Sequence, residues 1–311
     1  LEWRSKAGTR DQQLRAEHEE PLEMFAPREY ELVDFGDGRK LERFGAYLLD
    51  RPSPAAESAR PERPELWPQA SARFERTSGD QGTWLPGDPK APALPERWRI
   101  LHDRIVLELK PTAVGHLGVF PEQAPNWDWL SEEIAAAGRP LRLLNLFAYT
   151  GASTLTAAAA GAAVTHVDAA RSTVAWARRN AELSSLATAP IRWIVEDAAT
   201  FVRRELKRGN RYELVVLDPP SYGHGRKHAA WKFDEHLVPL LSDCARLLSE
   251  KPLGLLLTCH TPGFGPKKLG ELVSLVLEGS NVTCGELQLR SPTGRLLQSG
   301  TMGRAVVLGN A

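Results

Sequence analysis

Residues Leu141 to Gly151 read Leu-Arg-Leu-Leu-Asn-Leu-Phe-Ala-Tyr-Thr-Gly and run straight into the alanine-rich stretch that opens Ala152-Ser-Thr. A short apolar run, a turn closed by glycine and a helix-forming segment is the pattern of a strand feeding a crossover helix. The pattern recurs. Apolar runs at Val164 to Val167, Ile191 to Val195, Tyr212 to Leu217 and Leu253 to Thr258 alternate with helical periodicity. Strands covered on both faces read as continuous apolar runs, so the expectation is an α/β fold built on a parallel, doubly wound sheet.

Leu240, Leu241, Cys244, Leu247 and Leu248 form an apolar stripe that predicts a helix after Pro239, and Leu269, Leu272, Val273, Val276 and Leu277 form another. Val282 to Leu289 and Ala305 to Leu308 read as two closing strands joined by a long polar loop punctuated by Gly294, Gly300 and Gly303. Upstream, Ile100 to Leu109 reads as one strand that ends at Pro111. Glu31 to Asp34, the Gly36-Asp-Gly38 turn and Leu41 to Leu49 read as a short hairpin. Pro52 to Pro95, broken by prolines and carrying Trp67, Phe74 and Trp84, reads as an irregular segment draped over a core. The expected division is a frayed or helical arm over 1–28, a small β-rich domain with a proline-rich aromatic linker over 29–110, and the main α/β domain over 111–311.

Lys plus Arg equal Asp plus Glu at 39 each, which removes the global positive field of a dedicated nucleic-acid-binding module, so any such contact must be local. No segment approaches the roughly 18 to 20 apolar residues of a membrane span. Cys244, Cys259 and Cys284 are too few and too dispersed for a zinc cluster or a disulfide framework; no metal is expected, and the thiols read as reduced in a cytoplasm-like compartment. The chain begins at Leu1, which reads as a processed or shortened product and leaves an organellar location open.

Chemistry gathers at the strand ends. In an open α/β sheet the turn after the first strand presents backbone amides and the positive end of a helix dipole, which suits an anionic ligand group at Gly151; the same glycine would also serve a plain strand-to-helix turn. Asp168, about seventeen positions further on, stands where an acid binds a ribose diol or caps the next helix. Asp197 after the third run either meets an adenine amino group or begins the helix over Ala198 to Arg208. Asp218-Pro-Pro-Ser-Tyr222 follows the fourth run. Its two prolines fix their own φ and remove amide donors, leaving carbonyls and side chains on a rigid acceptor platform.

These motifs, together with His116-Leu-Gly-Val-Phe-Pro-Glu-Gln123, Asn126 and Trp127, resemble class I S-adenosylmethionine-dependent methyltransferases, particularly the bacterial group associated with large-subunit ribosomal RNA methylation. The resemblance spans roughly Glu29 to the C-terminus. It implies a Rossmann-like, seven-stranded, mostly parallel sheet whose seventh strand, Met302 to Leu308, inserts antiparallel. It implies S-adenosylmethionine as cofactor, with Asn145, Phe147, Tyr149, Thr150 and Gly151 around its methionine part. Asp168 would hold the ribose, Asp197 the adenine, Asp218, Pro219 and Pro220 the transferring methyl, and Phe120 and Gln123 would close the site.

The Asp-Pro-Pro segment with Ser221 and Tyr222 also resembles relatives that methylate a guanine nitrogen, which makes RNA the expected acceptor and Tyr222 a stacking surface for an extruded base. Cytosine-5 relatives need a cysteine after the fifth strand; in Leu257-Thr-Cys-His-Thr-Pro262 that position falls on Thr261, and Cys259 reads as a buried thiol. Arg203, Arg204, Lys207, Arg208 and Arg211, then His224, Arg226, Lys227 and His228, and finally Lys267 and Lys268 either contact phosphates or form solvated faces. A small-molecule or protein acceptor and a non-catalytic cofactor-binding role are the alternatives.

Overall fold

The computed structural model describes residues 25–223, 231–277 and 279–306; most of the expected arm, 1–24, lies outside them. Phe25 is buried, its ring 4.6 Å from that of His102 and 6.0 Å from that of Trp127.

Five strands form the first sheet, in the order β1 (Tyr30–Gly36), β2 (Arg39–Phe44), β3 (Tyr47–Pro52), β4 (Ala72–Ser78) and β5 (Gln81–Pro86). Asp37 and Gly38 take φ of 49° and 75° in the β1–β2 turn, the left-handed pair a tight hairpin needs. The sequence reading of 52–95 as irregular is corrected here. The prolines cluster on either side of β4 and β5, and Phe74, 1% exposed between exposed Arg73 and Glu75, supplies the alternation of a half-buried strand. Buried Glu42 accepts from Arg51 Nε at 2.9 Å, and Arg51 Nη1 donates to the Gly115 carbonyl at 3.1 Å, so a buried charge pair ties this sheet to the loop that leads to Phe120.

Ile100 to Leu109 is a hairpin and not one strand. β6 (Trp98–His102) turns at Asp103, whose φ is 45°, into antiparallel β7 (Ile105–Leu109). Aspartate tolerates that left-handed conformation, which apolar alternation does not reveal.

The main layer follows as α1 (Ala124–Ala136), β8 (Arg142–Leu146), α2 (Ala152–Ala159), β9 (Ala163–Asp168), α3 (Arg171–Leu183), β10 (Ile191–Val195), α4 (Ala198–Lys207) and β11 (Leu214–Leu217). A short pair, β12 (Tyr222–Gly223) and β13 (Trp231–Lys232), precedes α5 (Phe233–Leu247), β14 (Gly254–Cys259), α6 (Pro266–Val276), β15 (Asn281–Arg290) and β16 (Leu296–Val306). The seven-stranded sheet has the order β10-β9-β8-β11-β14-β16-β15. The first five pair in parallel, and β16 inserts antiparallel between β14 and β15. This is a Rossmann-like, mostly parallel sheet with one antiparallel inserted strand, beside a β-rich N-terminal region. The strand order reverses between β8 and β11, the place where open α/β sheets bind ligands.

Three boundaries differ from expectation. Pro239 lies inside α5, which starts at Phe233. A tight turn closed by Ser291 N to Arg295 O at 2.9 Å replaces the long polar loop, with Gly294 at φ 87°. β16 therefore begins at Leu296, and Gly300 and Gly303 are strand residues; a Cβ on Gly303 would stand 3.3 Å from Val273 Cγ2, so close packing of α6 explains that glycine.

One buried cluster joins Phe44 and Leu49 of the first sheet, Leu107 of β7, Trp127 of α1, Leu155 of α2 and Leu297 of β16. No helix of the described residues is long and apolar enough to cross a membrane.

Candidate functional site

The loop from β8 to α2 is held in an unusual conformation. Phe147, Tyr149 and Gly151 take φ of 54°, 49° and 92°. Such a backbone costs on the order of 1 to 3 kcal/mol at each non-glycine residue, so surrounding bonds must hold it. Ala148 N donates to Val167 O at 3.0 Å and Gly151 N to Ala148 O at 3.0 Å. Tyr149 N donates to Asp168 Oδ2 at 3.0 Å, and Asp168 Oδ1 accepts from Ala170 N at 2.9 Å. Asn180 of α3 donates to Thr150 O at 2.9 Å and accepts Glu108 N at 2.9 Å, clamping the loop against the β6–β7 hairpin. Gly151 starts α2 in close packing; a Cβ there would stand 3.0 Å from Ala177 Cβ.

Beneath the loop, buried Asn145 donates through Nδ2 to Thr154 Oγ1 at 2.9 Å, and Thr154 Oγ1 lies 2.9 Å from His166 Nδ1. Burial, helped by Arg178, lowers His166 to about 3, so the ring is neutral at Thr154. Asp168 is affected differently: burial raises its carboxyl above the ordinary value against two amide donors that pull the other way. Its charge is kept at a cost to the fold.

A second segment covers the loop. The Phe120 ring lies 5.3 Å from that of Tyr149 and 5.2 Å from that of His116. Gln123 Nε2 donates to Asp218 Oδ2 at 3.3 Å, and Asn126 Nδ2 donates to Gln123 Oε1 at 2.8 Å. Arg304 of β16 donates to Asn126 Oδ1 through Nε and Nη2 at 3.1 and 2.9 Å. Asp218 Oδ1 accepts from Thr258 Oγ1 and lies 3.5 Å from His260 Nε2. Burial works against the charge of this carboxyl, but its bonds with His260 and Thr258 hold it below the ordinary value. Burial likewise opposes an imidazolium at His260, yet Asp218, Glu122 and the Ser299 carbonyl push it up to about 9. The pair is therefore ionised at neutral pH.

Of the residues singled out from sequence, Phe120, Gln123, Asn145, Phe147, Tyr149, Thr150, Gly151 and Asp218 line one cleft at the carboxyl ends of β8 and β11. Asp168 is not among the lining residues and holds one of them by accepting Tyr149 N. Asp197 caps α4, accepting Thr200 N at 2.8 Å. Pro219 is buried, and the exposed Pro220 presents a carbonyl that accepts Trp231 Nε1 at 2.7 Å. Tyr222 pairs with Lys232 along the backbone, but its side chain lies outside the described residues, as do His224, Arg226, Lys227 and His228. Ser221 Oγ accepts from Thr261 Oγ1 at 2.9 Å.

Thr258, His260 and Trp231 were missed. Along β14, Cys259 is buried at 1% exposure, while its neighbours Thr258 and His260 both meet Asp218. Strand alternation past Leu257 carries this signal in the sequence, since Thr258 and His260 share the face opposite Cys259. Burial raises the Cys259 thiol, which removes the thiolate a nucleophile needs. In the basic run on α4 and just past its end, Arg204 pairs with Glu196 and Arg208 with Glu205. A larger cavity of about 570 Å³ lies beside Trp84, Leu85 and Pro95, where the cations Arg97 and Lys110 are engaged by Glu108 and the Trp176 ring. Among the described residues no group of His, Cys, Asp or Glu could hold a metal ion.

A family model described as S-adenosylmethionine-dependent methyltransferase matches residues 70–276. Ribosomal RNA large subunit methyltransferase K/L of Hahella chejuensis is 34% identical over 142 residues, 45% of this chain and 18% of that protein. Ribosomal RNA large subunit methyltransferase K of Neisseria meningitidis serogroup B is 39% identical over 93 residues, 30% of this chain and 26% of that protein. The chain thus spans a minor part of the length of these curated relatives. The crystal structure of the SAM-dependent methyltransferase from Agrobacterium tumefaciens superposes with a TM-score of 0.84 at 39% identity, covering 89% of this chain and 90% of that one. A protein from Streptococcus mutans shares the fold at a TM-score of 0.71 and 18% identity, covering 90% of this chain and 75% of that one.

Proposed function

The chain belongs to the family of S-adenosylmethionine-dependent methyltransferases, and from that premise we propose that it methylates a base nitrogen in RNA, with ribosomal RNA the first candidate. The residues fit the cofactor. The strained loop of Phe147 to Gly151 and the buried amide of Asn145 offer polar groups to its amino-acid end, and Phe120 offers an aromatic face to its sulfonium. Asp168 would hold the ribose with the faces of its carboxylate not used by Tyr149 N and Ala170 N, and Asp197 the adenine. When bound, the cofactor supplies an electrophilic methyl group.

The observation that carries the acceptor reading is the ionised Asp218 at the edge of that cleft, with both oxygens engaged by donors and its lowered pKa. A fixed carboxylate accepts a hydrogen bond from an acceptor N–H and holds the nitrogen for in-line attack, which is where direct transfer gains its rate. Its low basicity makes it an orienting group and leaves the proton to solvent. The Pro219 carbonyl is the second acceptor, since that of Pro220 is engaged by Trp231. Residues 29–110 are proposed as an accessory β-rich domain beside the methyltransferase domain over 111–311. The RNA assignment draws on the names of the relatives from Hahella and Neisseria. Nucleoside mass spectrometry of ribosomal RNA from cells with and without the protein tests it: one N-methylated nucleoside should disappear, and an unchanged profile with no tritium transfer from labelled cofactor to that RNA refutes it.

A small-molecule or protein acceptor is the second reading, favoured by zero net charge and the ion-paired arginines of α4. It predicts labelling of a non-RNA fraction that bulk RNA does not compete away.

A further inference from the structure

His260 has no role in the reading above, yet the fold makes room for it. It follows the last residue of β14, and the neighbouring strand β16 carries no side chain at Gly300. A Cβ there would stand 2.8 Å from His260 Nδ1 and 3.0 Å from the Cys259 carbonyl. The ring occupies that notch. Nδ1 lies 2.7 Å from the Ser299 carbonyl, which can only accept, so Nδ1 carries a hydrogen and Nε2 is the atom turned to the site. Nε2 lies between two groups of the cleft, 3.5 Å from Asp218 Oδ1 and 3.4 Å from Gln123 Nε2.

This placement gives the imidazole two distinct states. As a cation it pairs with Asp218 and cannot accept from Gln123, whose amide hydrogen then serves Asp218 Oδ2 at 3.3 Å. As a neutral ring with its hydrogen on Nδ1, Nε2 has none to donate, so Asp218 loses the imidazole and Nε2 competes with Asp218 Oδ2 for the two hydrogens of the Gln123 amide. The charged groups acting on it are Asp218 at the end of β11 and Glu122 beside Gln123, whose Oε2 is buried without a hydrogen-bond partner. Both favour the cation.

We propose that His260 is a positioning residue for methyl transfer, seated by Gly300 and Ser299, whose imidazolium holds Asp218, and through it Gln123, in the arrangement that receives the acceptor. The inference rests on the reading of Asp218 as the acceptor-facing carboxylate. An acceptor nitrogen that offers hydrogens suits an anion so fixed, and an anionic acceptor does not.

The test uses the full chain as wild type and as His260→Ala, His260→Gln, Gly300→Ala and Asp218→Asn. Three measurements apply: imidazole NMR titration, calorimetric binding of S-adenosylhomocysteine, and steady-state kinetics on ribosomal RNA from cells lacking the protein. His260 should titrate near 9 in the wild type and fall towards 6.5 in Asp218→Asn. His260→Ala should lower kcat roughly 10- to 100-fold, the loss expected from a misplaced orienting group, with S-adenosylhomocysteine affinity within about twofold. Gln supplies a neutral donor, so His260→Gln should recover much of kcat and lose the alkaline decline near pH 9. Gly300→Ala should lower kcat while keeping the imidazole. Wild-type kcat and pH profile in His260→Ala, or titration of His260 near 6.5 in the wild type, overturns the proposal. Should RNA be the wrong acceptor, wild type and variants alike transfer nothing to it, while the NMR titration still decides whether His260 holds Asp218.

Discussion

Asparagine in place of Asp168 should separate binding from folding. The carboxylate accepts Tyr149 N at 3.0 Å and Ala170 N at 2.9 Å, yet burial raises its pKa, so in the folded state its charge costs more than those bonds return. Asparagine removes the charge, keeps one acceptor oxygen and turns an NH2 towards the other amide. One hydrogen bond is lost, about 1 kcal/mol, and the relief of a desolvated charge offsets it, so stability should change by about 1 kcal/mol or less. Cofactor binding has no such compensation. Two charge-assisted bonds to ribose hydroxyls are worth about 1 to 3 kcal/mol, which weakens binding roughly 5- to 150-fold. Calorimetric titration with S-adenosylhomocysteine, paired with urea unfolding of the same samples, reads both quantities. Affinity within twofold of wild type removes Asp168 from the site. A stability loss above about 2 kcal/mol would instead make it an anchor of the strained loop.

Asp218→Asn should cut turnover by about 100-fold or more while S-adenosylhomocysteine affinity holds, measured by single-turnover transfer; equal loss of both would place Asp218 in cofactor binding. Cys259→Ser should leave turnover within a few-fold and yield no covalent RNA adduct on denaturing gels, since the raised thiol is buried at 1% exposure. The His260–Asp218 pair predicts a pH dependence of stability. His260 is raised from 6.5 to about 9, so its contribution is complete below about 6.5 and drains away as pH rises through 9, whereas Asp218 is lowered and contributes until pH falls below its ordinary 3.8. With side chains 31% and 32% exposed, solvent screening reduces the effect to about 1 kcal/mol, seen as a fall in urea midpoint between pH 6.5 and 9 that Asp218→Asn lacks. Gly118→Ala should destabilise by about 2 kcal/mol or more in the same assay, because φ is +102° and a Cβ would lie 2.3 Å from Trp176 Cζ2.

Local pattern carried the fold a long way. The five parallel strands are legible because strands buried on both faces must be apolar at nearly every position, and Gly151 and Asp218 are legible because ligand-binding turns follow such strands. Hairpins were harder. The turn at Asp103 and the β4–β5 pair around Phe74 depend on a single left-handed residue and on a partner strand, neither of which periodicity reports.

The chemistry at each strand end belonged to the chain's local order; its convergence did not. Gln123, Asp218, His260 and Ser299 meet because the sheet order sets β8 beside β11, β11 beside β14 and β14 beside β16, an arrangement governed by how the helices pack. The same packing set one oxygen of Asp197 to cap α4, gave the Pro220 carbonyl to Trp231 and buried Cys259. A residue's type limits what it can donate or accept, but which of its neighbours comes within 3 Å is settled by contacts between segments far apart in the chain.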